Sequence, residues 1–272
     1  MRIYDFSLAL EKGLLKGHEL SLAIGVFDGV HLGHQEVFSR LVSYARSHEG
    51  VESCVITFGT NPKIKGLMSL DSLRLRSQYV ASFGVDYMVV IDFSSDFSKM
   101  SGREFIRLLC TMCRVKAVIV GEDFKCGSPS DQITAKELSD AFHDEGCEVE
   151  VDVIPPVMDS DHVRISSTHI RQLVSAGDIA RANRLAGSPY RYDLASCQLE
   201  RLGSCLVTQA VGTQRLPGEG IYAARLLLLD GSSIKGQLEI RHDCLSFRPV
   251  ADVDVARADS IEIFPIGEME SI

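Results

Sequence analysis

"GVFDGVHLGH" occupies residues 25–34, between a short apolar run and an amphipathic one. The apolar side predicts a strand over Ala23–Phe27. On the other side Val37, Phe38, Leu41, Val42 and Ala45 recur at helical spacing. The segment therefore reads as the loop from a strand into a helix, with a turn at Asp28-Gly29. Such loops collect ligands, because the crevice beyond the carboxyl ends of parallel strands faces the positive ends of the following helices. The dinucleotide fingerprint G-x-G-x-x-G is absent from this turn, which disfavours a nicotinamide-type enzyme. What stands there is His31-Leu32-Gly33-His34, in which Gly33 removes bulk between two imidazoles and leaves room for a phosphate. Imidazole N–H groups can donate to phosphate oxygens alongside the free N–H groups of the helix. Taken alone, H-x-x-H is also compatible with a metal site or with two surface histidines capping a helix.

Further along, Cys54–Phe58, Tyr87–Phe93, Ala117–Val120 and Val149–Ile154 are short apolar runs alternating with helical periodicity, the pattern of a parallel sheet covered by helices. Ser101 with Glu104 predicts a capping box opening one helix, and another is expected from Thr134 to Gly146. Two short helices close at Gly177 and Gly187. After "GSPY", residues 187–190, short strands separated by Gly and Asp-Gly turns predict a small all-β domain, with sandwich and barrel both open. The expected fold class is thus α/β followed by all-β, with domains at 1–187 and 188–272.

Composition narrows the function classes. The 272-residue chain is 45% hydrophobic and 24% charged, ordinary for a globular protein. No apolar run approaches the roughly 20 residues needed to span a bilayer, and the first residues lack the pattern of a secretory signal, so a cytoplasmic location without membrane contact is expected. A formal charge of −9 disfavours binding to nucleic acid and requires any anionic substrate to be held locally. Cys110 and Cys113 form one C-x-x-C within an apolar helical pattern, with no second such pair to complete a zinc site. They are read as core, among eight reduced cysteines.

Ser166, Ser167 and Thr168 precede another apolar helical run, so hydroxyls and backbone N–H groups would converge at a second helix start. Arg171, one turn in, could reach the same anion with its fork of donors. An ordinary capped helix with a solvated arginine fits the same residues. Asp123, between strand and loop, could contact a ligand or fix its own loop by local hydrogen bonds.

These segments carry a resemblance. "GVFDGVHLGHQ" is similar to the opening G-N-F-D-G-x-H-x-G-H of the bacterial riboflavin kinase/FAD synthetases, within the H-x-G-H nucleotidyltransferases, and departs from it at Val26. "TFGTNP" resembles T-F-x-P-H-P, with Thr60 and Asn61 replacing Pro and His. "VGEDFKCG" resembles V-G-x-D-F-x-F-G, and "ISSTHIR" the S-S-T-x-I-R segment. The resemblance covers roughly residues 20–190 in the family's order.

It implies a Rossmann-like domain that transfers AMP from ATP to FMN, giving FAD and pyrophosphate. His31, His34 and Arg171 would be catalytic. Gly25, Phe27, Asp28, Gly29, Gly33, Ser166, Ser167 and Thr168 would bind ATP, and Asn61, Asp123 and Phe124 would lie on the flavin side. Magnesium would accompany the nucleotide, and the protein's metal ligands stay unassigned. The tail resembles a shortened flavokinase barrel through "LPGEGIYAARLLLLDG". It lacks the family's Pro-Thr-Ala-Asn, because Leu202-Gly203 is followed by "SCLVT". A tail without kinase activity is expected. A bifunctional enzyme, a transferase for another phosphate, a catalytically silent flavin or nucleotide sensor and a zinc protein are the competing readings.

Overall fold

The computed structural model describes residues 1–59, 68–92, 97–251 and 253–268. Helices and strands follow in the order β1 (Arg2–Asp5), α1 (Phe6–Lys12), β2 (Glu19–Ile24), α2 (Leu32–Ser47), β3 (Val51–Phe58), α3 (Leu73–Ser82), β4 (Tyr87–Ile91), α4 (Gly102–Met112), β5 (Arg114–Gly121), β6 (Lys125–Cys126), β7 (Ile133–Thr134), α5 (Leu138–Asp144) and β8 (Glu150–Ile154). Then come α6 (Ser167–Ala176), α7 (Ile179–Ala186) and the strands β9 (Tyr190–Asp193), β10 (Glu200–Leu202), β11 (Cys205–Gln209), β12 (Gly220–Leu228), β13 (Ser233–Arg241), β14 (Cys244–Pro249) and β15 (Ala258–Phe264). The chain divides into two compact units, Met1–Lys65 with Arg76–Arg164, and Gly66–Leu75 with Ile165–Ile272.

In the first unit six parallel strands form one sheet in the order β1-β4-β3-β2-β5-β8. From β2 the chain winds through β3 to β4 on one side, then returns to β5 and β8 on the other. The point of reversal, between β2 and β5, is where Rossmann-like sheets open a crevice at their carboxyl ends. Side chains alternate along each strand and fill two separate cores. Leu22, Ile24, Cys54, Ile56, Val118 and Val120 meet α1, α4 and α5 through Phe6, Phe105, Ile106, Leu109, Leu138 and Phe142. Ala23, Val55, Ala117 and Ile119 meet α2 through Val37, Phe38, Leu41 and Val42.

The Ser101–Glu104 capping box opens α4 as expected, Ser101 Oγ accepting from the Glu104 N–H at 3.2 Å and Glu104 Oε2 from the Ser101 N–H at 2.8 Å. Cys113 is buried in the first core with Cys110 packed against it, and the Cys110 and Cys147 sulfurs lie 2.8 Å apart.

Two expectations need correction. The strand expected over Ala23–Phe27 ends at Ile24, because Phe27 takes a left-handed backbone (φ 51°) that drives its ring into the α2 core. The helix expected from Thr134 starts as a short 3-10 turn over Ala135–Glu137, and α5 proper ends at Asp144, just before Gly146 (φ 76°). The compact units adjoin at Arg164/Ile165, and the boundary expected at 187/188 is the passage from α7 to β9. In the second unit the Asn183 side chain of α7 donates to the Ile263 carbonyl at 3.0 Å and accepts from the Tyr190 N–H at 2.8 Å, which joins the helix to β9 and β15.

The second unit holds α6, α7 and a seven-stranded sheet ordered β10-β11-β14-β13-β12-β15-β9, antiparallel throughout. Leu194 beside one edge strand, Leu206 near the other, and Leu226, Leu238, Phe247 and Ile261 between them line a common apolar interior, so the sheet curls upon itself like a barrel. Ser72, Arg74, Asp193, Arg191 and Asp259 form a partly buried ion-pair network on this unit, with Arg74 at 2.6 Å from Asp193 and 2.5 Å from Asp259.

Leu41 is fully buried between α2 and the sheet. Leu41→Ala should lower unfolding free energy by about 2–5 kcal/mol, read as a smaller urea midpoint at unchanged slope.

Candidate functional site

The turn between β2 and α2 stands at the crevice between β2 and β5. Its backbone is tied down from several sides. The Gly25 N–H donates to the Ile56 carbonyl at 3.1 Å, Thr57 Oγ1 donates to the Val26 carbonyl at 2.9 Å, and Gln35 Nε2 donates to the Val30 carbonyl at 2.9 Å. Phe27 and Val30 both have positive φ, 51° and 25°, a conformation that costs side-chain-bearing residues of order 1–3 kcal/mol each. Burial of both side chains, 4% and 3% exposed, offsets that strain. Gly25 is fitted to the same end, since a Cβ there would lie 2.9 Å from the Phe27 ring.

His31 is the residue before the first turn of α2, and its side chain makes no capping bond to that turn. Its ring stacks on His34, with centroids 3.7 Å apart and planes 21° from parallel, and the Phe27 ring meets His34 edge to face at 5.3 Å. Gly33 serves this stack, because a Cβ at position 33 would lie 3.2 Å from both Cε1 and Nδ1 of His31. Both Nδ1 atoms are buried and, among the described residues, have no hydrogen-bond partner.

Burial first, and then the Arg164 guanidinium, push the His31 imidazolium down to about 4, against the opposing pull of Asp123 and Asp28. His34 is held well below the usual histidine range by burial, by His31 and by Arg76. At neutral pH both rings are uncharged, each with one N–H to donate and one lone pair to accept. They sit at the positive end of a 16-residue helix, an arrangement that stabilises an anion through dipoles rather than through a counter-ion.

Asp28 is buried, 1% exposed, and Gly29 takes the positive φ (79°) that its turn requires. Asp123 follows the end of β5 and pairs with Arg164 at 2.9 Å. Phe124 packs against the α1–α4–α5 core. Asn61 lies outside the described residues. In the first unit the structure therefore brings together Gly25, Phe27, Asp28, Gly29, His31, Gly33 and His34, with Asp123 in electrostatic range of His31.

Two participants escaped sequence reasoning. Arg76 and Arg164 belong to no motif quoted above, and only Arg164, one residue ahead of "ISST", had a positional hint.

In the second unit Ser166 caps α6, its Oγ accepting from the His169 N–H at 3.3 Å. Ser167 opens the helix and Thr168 is exposed. Arg171 is 8% exposed rather than solvated, and its Nε donates to the Met68 carbonyl at 3.0 Å. His169 Nδ1 in this first turn is buried with no partner among the described residues.

The comparisons follow the same segments. A family model described as FAD synthetase matches residues 16–169. A bifunctional riboflavin kinase/FMN adenylyltransferase of Listeria monocytogenes is 31% identical over 175 residues, covering 62% of this chain and 54% of its own length. The Escherichia coli K12 protein of the same name is 28% identical over 251 residues, 88% of this chain and 76% of its own. Thus the chain aligns with little more than half of the Listeria relative. A crystal structure of a macrolide-efflux protein from Streptococcus pneumoniae superposes with TM-score 0.78 at 22% identity, covering 97% of this chain and 98% of that one, a likeness of fold.

The depressed His31 value has a consequence for stability. An unfolded His31 binds its proton near pH 6.5 and the folded one only near pH 4, so between those values the unfolded state holds more protons and stability falls as pH falls. Relative to His31→Gln, the wild-type protein should lose about 2 kcal/mol between pH 7 and pH 5, measured as urea unfolding of both proteins at each pH.

Proposed function

Because the chain belongs to the FAD synthetase family, we propose that it is an FMN adenylyltransferase that transfers AMP from ATP to the phosphate of FMN. A phosphate oxygen of FMN attacks the α-phosphorus of ATP, the bond to the β-phosphate breaks, and pyrophosphate leaves. No covalent enzyme intermediate is required. Such transfers depend on aligning the attacking and leaving oxygens and on stabilising charge as it develops.

The observation that carries this reading is the uncharged His31–His34 stack at the start of α2. Its N–H groups and the open first turn of the helix suit the α-phosphate, whose charge grows in the transition state. Gly25, Phe27, Asp28, Gly29 and Gly33 hold that turn. Ser166, Ser167, Thr168 and Arg171 are assigned to the departing pyrophosphate on the strength of the family motif. Asp123, Phe124 and Asn61 are assigned to the flavin side on the same ground. The Asp123–Arg164 pair and the core packing of Phe124 favour loop support as their contribution. Magnesium enters with the nucleotide, carried largely by its phosphates. Among the described residues no group of three or more His, Cys, Asp or Glu is placed to hold a metal ion.

ATP and FMN are the proposed small-molecule partners, with neither nucleic acid nor membrane involved. No helix among the described residues is long and apolar enough to cross a membrane, and cytoplasmic residence fits that chemistry.

The β domain is proposed to lack riboflavin kinase activity. Where the resemblance calls for a Pro-Thr-Ala-Asn loop, Leu202 pairs directly with Cys205 across a two-residue turn with Gly203 at φ 61°. So tight a turn has no spare backbone to wrap a phosphate.

Incubation with FMN, ATP and magnesium should yield FAD by chromatography, and absence of FAD from folded protein would refute the assignment. His31→Ala should lower turnover by about two to three orders of magnitude, as removal of an oxyanion donor does. Riboflavin with ATP should give no FMN, and detectable FMN would return the kinase to the β domain.

A further inference from the structure

We propose that Arg76 is a positioning residue for this reaction, clamping the Gly25–His34 turn to the carboxyl end of β3 and holding a permanent positive charge beside His34. The inference rests on the adenylyltransferase reading, though part of its test does not.

Arg76 lies on α3 and is 2% exposed, among the largest fully buried side chains. Its Nη1 donates to the Phe58 carbonyl at 2.8 Å and to the Val26 carbonyl at 3.1 Å, with Thr57 Oγ1 at 3.4 Å. Val26 follows β2 and Phe58 ends β3, two adjacent parallel strands whose ladder runs out at Ile24↔Ile56. Beyond that point their carbonyls diverge, and one guanidinium spans them.

A buried cation costs several kcal/mol in solvation, and an apolar chain of similar volume would pack the same space without that cost. Its retention is explained by what it alone supplies. Its Nη1, fixed in a planar guanidinium, donates to two carbonyls at strand ends, and its charge does not titrate. Among the described residues, His34 feels the charges of His31 and Arg76, whereas His31 feels those of Arg164, Asp123 and Asp28. Arg76 thus supplies a fixed charge that favours the uncharged His34 ring, while the turn it clamps sets the ring's place.

Two substitutions separate these contributions. Arg76→Gln keeps an amide donor but removes the charge, and Arg76→Lys keeps the charge but removes the planar, rigidly placed donor. Turnover and KM for ATP and FMN would be measured for each across pH, and the His34 ring titrated by NMR with ¹³C-labelled histidine, assigned with His34→Gln. Arg76→Gln should lower kcat about 10- to 100-fold with KM little changed, the mark of misplacement rather than lost binding. Its His34 midpoint should move up by about one unit, and the acid limb of its pH profile should move with it. Arg76→Lys should leave the His34 midpoint where it is in the wild type while turnover still falls by about tenfold.

A folded Gln variant with wild-type turnover and an unmoved His34 titration overturns the proposal. Should the Gln variant fail to fold, Arg76→Lys decides, and wild-type turnover in that protein overturns the clamp. If the wild-type protein forms no FAD, the adenylyltransferase reading fails, while the histidine titration still decides whether Arg76 sets the charge state of His34.

Discussion

The chemistry of the first unit depends on a backbone reversal. At Phe27 the chain adopts a conformation that residues with side chains avoid, and the aromatic ring it turns inward becomes both a piece of the α2 core and the edge against which His34 rests. Without that inversion the strand would run on, and the two imidazoles would not meet face to face. The strain is local, whereas the burial that offsets it is spread over Phe38, Val37 and the sheet beneath. The turn is rigid because it is part of the core.

From this rigidity follows the unusual charge state. Imidazoles confined between aromatic and aliphatic groups, with guanidinium groups nearby, shed their protons well before neutrality. A pair of neutral rings at a helix start offers oriented N–H dipoles with no counter-ion to displace, which is what the proposed phosphate site requires. Such preorganised dipoles can respond to charge that develops during reaction, since they need no rearrangement at that moment.

The layout of the fold was legible because hydrophobic period is a local property. Alternating runs gave the parallel strands, and Gly and Asp-Gly turns gave the β tail. The motifs marked the loops at the carboxyl ends of β2 and β5. What stayed hidden was non-local. Nothing in "LRLRS" announces that Arg76 is buried against Val26, 50 positions away, because an arginine on a helix ordinarily faces water. A side chain at Gly33 would crowd the His31 imidazole, a neighbour that only the ring stack reveals. The end of β2 and the tie of α7 to the strands stayed out of sight for a related reason. A left-handed phenylalanine and an asparagine bridging α7 to two strands leave no periodic trace.

The sheet of the first unit is also a partition. Leu22 and Ile24 serve one layer and Ala23 the other, so substitutions among α1, α4 and α5 reach the stacked rings through the strands or through the Asp123–Phe124 loop. Drift in that far layer is free to alter thermal tolerance while leaving chemistry insulated. The near layer, which includes Phe27 and Val30, has no such freedom, and lineages of this chain can diversify on one side of the molecule at a pace the other side forbids.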